Sequence, residues 1–214
     1  MIMKTKLIYI LLFLNMFSSG LLFAQNDKQA EQIVADFVKS VEQSAIQTDF
    51  TLTISDENGL PTQKQNGTFF IKNNKFSLML EDVQVFFDGK TQWSYVFSNN
   101  EVSITEPSED ELAEINPIFI LREYQNKSAI HFSADGKSAE NYTIEMLPII
   151  KADFDKIEVR LNKSTRNLLS MKLLGGNMSV QISFSNFQHG ANIPDSRFIF
   201  NKSQYKDVFE NDLR

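Results

Sequence analysis

The stretch Phe87-Asp88-Gly89-Lys90-Thr91-Gln92-Trp93-Ser94-Tyr95 joins two alternating segments through an Asp-Gly turn, and its second arm carries the only tryptophan of the chain. An Asp-Gly pair supplies the positive φ angles of a two-residue hairpin turn. The period-two spacing of Trp93, Tyr95 and Phe97 then aims three rings to one side of a strand. Working outward, the same alternation recurs in Phe50, Leu52 and Ile54, in Phe69 and Ile71, in Phe76, Leu78 and Leu80, in Val83, Val85 and Phe87, and in Val102 and Ile104. Six short strands in succession predict an antiparallel meander with one apolar face, and such a face needs a cover.

Candidate covers flank the meander. Before it, Ala30, Ile33, Val34, Phe37, Val38 and Val41 follow the i, i+3, i+4, i+7 pattern behind Asn26 or Asp27, which predicts one amphipathic, capped helix. After it, Ser108-Glu109-Asp110-Glu111 has the form of a capping box and starts a helical turn with Leu112 and Ile115 inward. Asn116-Pro117 breaks that turn and starts another, Ile118-Phe119-Ile120-Leu121, so two short helices meet at a hinge. Strands resume at Ile130 and Phe132, at Tyr142, Ile144 and Met146, at Ile157, Val159 and Leu161, at Leu169, Met171 and Leu173, and from Met178 to Phe184. A last strand is predicted from Phe198 to Phe200, followed by a polar, frayed tail from Tyr205. A meander this long curls under its own twist, so the predicted class is mainly β with α: a curved antiparallel sheet, an open half-barrel, covered by an N-terminal helix and a short helical lid.

Residues 1–24 read as a secretory signal peptide: Lys4 and Lys6, an apolar run from Leu7 to Leu14, and Leu22-Phe23-Ala24 before the expected cut. The remainder, 25–214, reads as a single domain without linker or repeat. Removing Lys4 and Lys6 from 21 basic residues leaves 19 against 27 acidic ones, a net charge of −8, which repels nucleic acid. Cysteine is absent, so the core alone must hold an exported domain together, and Gln25 stands where an acylated Cys would follow a lipoprotein signal. The 19 phenylalanines offer apolar area with no polar atom to satisfy, suited to a core or to a wall that meets hydrocarbon.

The order of parts resembles the LolA-type periplasmic carriers of outer-membrane lipoproteins. Three runs carry the likeness: Gly67-Thr68-Phe69-Phe70-Ile71-Lys72 followed by Phe76, the Asp88-Gly89-Lys90-Thr91-x-Trp93-x-Tyr95 hairpin, and Asn116-Pro117-Ile118-Phe119-Ile120-Leu121. The resemblance implies a cavity for acyl chains between sheet and lid. It further implies an acylated lipoprotein as cargo, an inner-membrane ABC-type release complex as donor and an outer-membrane acceptor. The protein would then be a periplasmic monomer without cofactor or metal. Expected lipid-contacting residues are Phe50, Leu52, Ile71, Phe76, Leu78, Trp93, Tyr95, Leu112, Ile115, Ile118, Phe119 and Leu121, with Asn116 and Pro117 as lid hinge. Where the family has Lys-Arg-Pro before the Phe76 strand, this chain has Lys72-Asn73-Asn74-Lys75, so the arginine that latches the lid is missing and these residues would hold it less firmly.

Two other classes stay open at the level of sequence. The same fold could carry a glycolipid or pigment, and an exported non-catalytic binding module would fit the six Asn-x-Ser/Thr sites. An enzyme finds no support: the two histidines, His131 and His189, lack metal-ligand spacing, and no nucleophile is paired with a base.

Overall fold

The structure, a computed structural model, describes residues 27–109, 111–112 and 116–214. Helix α1 (Lys28–Glu42) precedes six strands: β1 (Ala45–Ser55), β2 (Pro61–Lys72), β3 (Lys75–Leu80), β4 (Val83–Phe87), β5 (Gln92–Val96) and β6 (Glu101–Thr105). Helix α2 (Pro117–Tyr124) leads to β7 (Ser128–Lys137), β8 (Asn141–Pro148), β9 (Lys156–Asn162), β10 (Leu168–Gly175) and β11 (Met178–His189), and the chain ends with β12 (Phe209–Asp212). All twelve strands form one sheet in the order β12-β6-β5-β4-β3-β2-β1-β11-β10-β9-β8-β7. Its edges do not meet, so the sheet is open.

The α1 face forms as its periodicity predicts. Asp27 caps it, its carboxylate accepting from Gln29 N at 2.9 Å and Ala30 N at 3.4 Å, and all six predicted apolar positions are buried. Asp27 N also donates to Ile130 O on edge strand β7, at 2.9 Å, which ties the start of the helix to the far side of the sheet. One apolar cluster contains residues from β4 through to β7 together with both helices. Nine strands laid flat would span roughly 40 Å, and two helices about 10 Å thick cannot touch them all, so this face must curve around the helices.

At its centre, Phe76 is fully buried, with ring centroids 5.8 Å from Phe69, 5.4 Å from Phe87 and 6.1 Å from Phe119 of α2.

Four features differ from the sequence-based expectations. The Asp88 hairpin loop has four residues, with Asp88 Oδ1 accepting from Lys90 N and Thr91 N, and only Gly89 takes a positive φ, 102°. The expected strand at Phe198 is a 3₁₀ turn, Asp195–Phe198. The tail from Tyr205 is ordered: Tyr205 stacks on Phe200 with centroids 4.6 Å apart and donates to Gln84 Oε1 at 2.6 Å. Beyond it, β12 adds to β6 in parallel.

The fourth difference concerns the lid latch. Lys72 Nζ donates to Asp195 Oδ1 at 2.7 Å and to Ile193 O at 3.1 Å, and Lys75 Nζ reaches Asp195 Oδ2 at 3.0 Å. These lysines therefore pin the start of the 3₁₀ turn to the β2–β3 hairpin. Asn73 occupies the left-handed position of that hairpin, with φ 57°.

Phe76→Ala removes the ring that three others pack against and is expected to cost about 3–5 kcal/mol in urea denaturation. A loss under about 1 kcal/mol would contradict a tightly packed centre. Asp195 titrates at about 2 instead of 3.8 because the Lys72 and Lys75 hydrogen bonds and charges favour its carboxylate. A lowered folded value means the pin is whole above the ordinary carboxylate range and is lost as pH falls toward 2. Amide exchange over residues 193–198 should rise in that window, and Asp195→Asn should show the same rise at neutral pH; flat exchange in both cases would disprove the pin.

Candidate functional site

Strand pairing decides which side chains can meet inside. Phe50 of β1 lies opposite Gly67 and Phe184, Leu52 opposite Ile182, and Met171 and Leu173 of β10 lie opposite Ile182 and Val180. These, with Phe69, Leu78 and Leu80, share the inner face of the sheet. Phe50 fits there because Gly67 has no side chain: a Cβ at Gly67 would stand 2.7 Å from the Phe50 ring and 2.6 Å from Met79 O.

The lid is built from local signals. Ser108 N and Oγ donate to Glu111 Oε2 at 2.8 and 2.7 Å, and Glu111 N donates back to Ser108 Oγ at 3.4 Å, completing the capping box. The backbone bond from Ser108 holds the Glu111 carboxyl below its usual range. Asn116 accepts from Ile118 N at 2.9 Å and Pro117 fills the first helical position, so α2 starts afresh. Pro117 to Leu121 are all buried, as expected for an apolar run longer than one helical turn. Arg122 lies 4.1 Å above the Phe119 ring and reaches Glu109 at 3.9 Å, bridging the hinge from α2 back to the capping box. Among the described residues the Asn116 amide nitrogen is buried without a partner, an arrangement that costs about 1–3 kcal/mol.

Packing is incomplete on one side of α2. A chamber of about 300 Å³ remains between Pro117 and Ile120 on the lid and Phe50, Leu52, Phe69, Leu78, Leu80, Leu173, Val180 and Ile182 on the sheet. Every one of these side chains is apolar. Ligand pockets begin near this size, and apolar side chains of this kind favour hydrocarbon over water.

Of the expected contact residues, Phe50, Leu52 and Leu78 stand on the chamber wall, as does the hinge residue Pro117. Ile71, Phe76, Leu112, Ile118, Phe119 and Leu121 are buried in the packed cluster beside it, and Asn116 is buried at the hinge. Trp93 and Tyr95 require correction. Trp93 pairs with Phe86 and Tyr95 with Gln84, which places both on the outer face with Val102, Phe200, Tyr205 and Val208. Both faces of β4 are apolar, so alternation there could not tell inside from outside. Ile115 lies outside the described residues.

The wall residues missed in the sequence fall into two groups. Phe69, Leu80 and Ile120 carried the right period and were neighbours of named positions. Leu173, Val180 and Ile182 come from β10 and β11, whose place beside β1 is set by a pairing more than 120 residues apart along the chain.

The family model of the outer membrane lipoprotein carrier protein LolA matches residues 21–172. No curated protein matches the chain. Among solved structures, an uncharacterized conserved protein from Thermus thermophilus is similar with a TM-score of 0.58 and 11% identity, over 85% of this chain and 98% of its own. A putative outer membrane lipoprotein-sorting protein domain from Vibrio parahaemolyticus gives a TM-score of 0.45 and 11% identity over 83% and 98%. LprF from Mycobacterium bovis gives 0.42 and 14% over 79% and 96%. With the open sheet and capped lid in place, the match over most of its length identifies this chain as a member of the LolA outer membrane lipoprotein carrier family.

Proposed function

We propose that this protein is a periplasmic chaperone that carries lipoproteins from the inner to the outer membrane, sheltering their acyl chains in the chamber beneath α2. The observation that carries this reading is that every side chain lining the chamber is apolar. Each methylene moved from water into such a space is worth about 0.8 kcal/mol, so a few acyl chains make free diffusion through water prohibitive and a sheltering wall decisive. On this reading residues 1–24 are a Sec signal peptide cut near Ala24. The monomer left behind takes its cargo from an ABC-type release complex and yields it to an outer-membrane acceptor. Consistent with a carrier moving between membranes, no helix among the described residues is long and apolar enough to span one.

The resting chamber is at the low end of ligand pockets, so loading must displace α2. Net affinity is the methylene gain minus the cost of unpacking Pro117 to Leu121, and hand-over is driven by their repacking. The physics needs no covalent step.

Val180→Glu and Leu80→Glu test the reading on wall positions that are only partly buried, so folding should survive. Each places a charge against the acyl chain and is expected to weaken binding of a diacylated lipopeptide at least about tenfold, or roughly 1.4 kcal/mol, in fluorescence titration. Wild-type affinity in both variants would rule out the chamber as the acyl site. Tighter retention of a glycolipid than of the lipopeptide by the unmodified protein would assign it another amphiphile.

A further inference from the structure

The chamber has two unlike ends. Followed inward from the hairpin tips, its sheet wall is four rows deep: Leu173 beside Val180, Leu52 beside Ile182, Phe50 and Leu80 on either side of Gly67, and Phe69 beside Leu78. Side chains two apart on a strand rise about 6.6 Å, so the rows extend about 20 Å along the sheet. Outward of the first row the wall is open to water: Met178 is 62% exposed, and Leu60 at the neighbouring tip is 63% exposed. Inward of the last row it is solid, because Ile71, Phe76 and Phe87 stand side by side there and none is more than 4% exposed.

The change from open to solid coincides with a change from aliphatic to aromatic side chains. Every aliphatic residue of the sheet wall is partly exposed, whereas Phe50 and Phe69 are buried. Phe50 is the first ring met from the open end. It leans from β1 onto β2, its Cζ and Cε1 standing 2.7 and 2.8 Å from where a Gly67 Cβ would be. Gly67 brings no side chain of its own, so the floor between the second row and Phe69 is filled on β2 by this one ring.

We infer that Phe50 is the stop that sets how long an acyl chain the protein shelters, with chains entering methyl end first from the hairpin tips. The inference rests on the carrier reading and adds to it a direction and a length-limited class of cargo. The direction follows from polarity. No side chain of the wall can satisfy an ester or a headgroup, so the polar part of the cargo stays at the open end. The limit follows from burial: each methylene adds affinity until the chain end meets the ring, and any further ones are left in water at the tips. Phe50 and Gly67 lie opposite each other on paired strands, so the stop keeps its place when α2 is displaced.

Titration of the full chain with synthetic lipopeptides tests the stop, the peptide being constant and the two saturated acyl chains lengthened two carbons at a time. Affinity for the unmodified protein should climb with each step and then level off. Phe50→Ala opens the floor over Gly67, and it should move the levelling point at least one step longer and raise affinity for the longest chains several-fold, with thermal melts confirming the fold. The same levelling point in both proteins, or an unbroken climb in the unmodified one, overturns the stop and leaves the carrier reading intact. Affinity that does not depend on chain length at all overturns the carrier reading and the stop with it. A second measurement needs no variant. In nuclear Overhauser spectra of the unmodified protein, a lipopeptide labelled at its terminal methyls should contact the Phe50 ring, and one labelled beside its esters should contact Val180; the reverse pairing, or terminal methyls that reach Val180 and not Phe50, refutes the direction and the stop.

Discussion

The whole molecule depends on the need to cover one apolar face of a sheet too wide for its covers. From β4 round to β7 the inner side chains are almost all apolar, and among the described residues two helices of fifteen and eight residues, with Leu112 beside them, lie against them. Where α1 and α2 sit over Phe69, Phe76 and Phe87, the covering is complete and the rings interlock. Past Ile120 it falls short. The walls cannot close the gap, because hydrogen-bonded ladders keep neighbouring strands about 4.8 Å apart whatever lies between the faces. A chamber is therefore the geometric remainder of a rigid sheet and an undersized lid.

On the carrier reading we propose, the same constraint lets the lid be both closed and movable. The expected cationic latch is engaged elsewhere, with Lys72 and Lys75 bound to Asp195. What holds α2 is apolar contact, chiefly Phe119 against Phe76, and apolar contact has no required geometry. A helix held this way can shift and rebury its residues against an acyl chain instead of against the sheet. The lost and gained areas are alike in kind, so the proposed empty and loaded states differ by a small margin. The Asn116 amide, unpaired among the described residues, lowers that margin further from the closed side.

Much of this was legible in the sequence, and the reasons for the exceptions are physical. Periodicity and capping signals located α1, the start of α2 at Asn116-Pro117 and most strands, because each is fixed by neighbours within a few residues. Ser108 and Glu111 could be read as a cap for the same reason. The wall could be read only in part: Phe50, Leu52 and Leu78 lie in the first meander, whereas Leu173, Val180 and Ile182 join them only through the β1–β11 pairing, which no local pattern encodes. Lys72 and Lys75 were visible as charges, but their partner Asp195 lies some 120 residues away. The sidedness of Trp93 and Tyr95 was hidden because Val85, Phe86 and Phe87 are apolar on both faces of β4.

That ambiguity at β4 marks a real inversion of the sheet. On β5 and β6 the inner positions are Gln92, Ser94, Val96, Glu101, Ser103 and Thr105, of which Val96 alone is apolar, and the apolar residues Trp93, Tyr95, Val102 and Ile104 point outward. An inverted edge needs its own cover, and the C-terminal segment provides it: Phe200, Tyr205 and Val208 cap the outward residues while β12 pairs with the otherwise free edge of β6. Closing that edge also removes a template for pairing with other chains. The inversion sets a limit on the inside as well. A hydrocarbon chain running along the inner face would meet apolar wall as far as β4 and hydroxyls and amides beyond it, where each buried polar group must keep its hydrogen bonds. The chamber can therefore extend away from this edge, toward β10, and not toward β6.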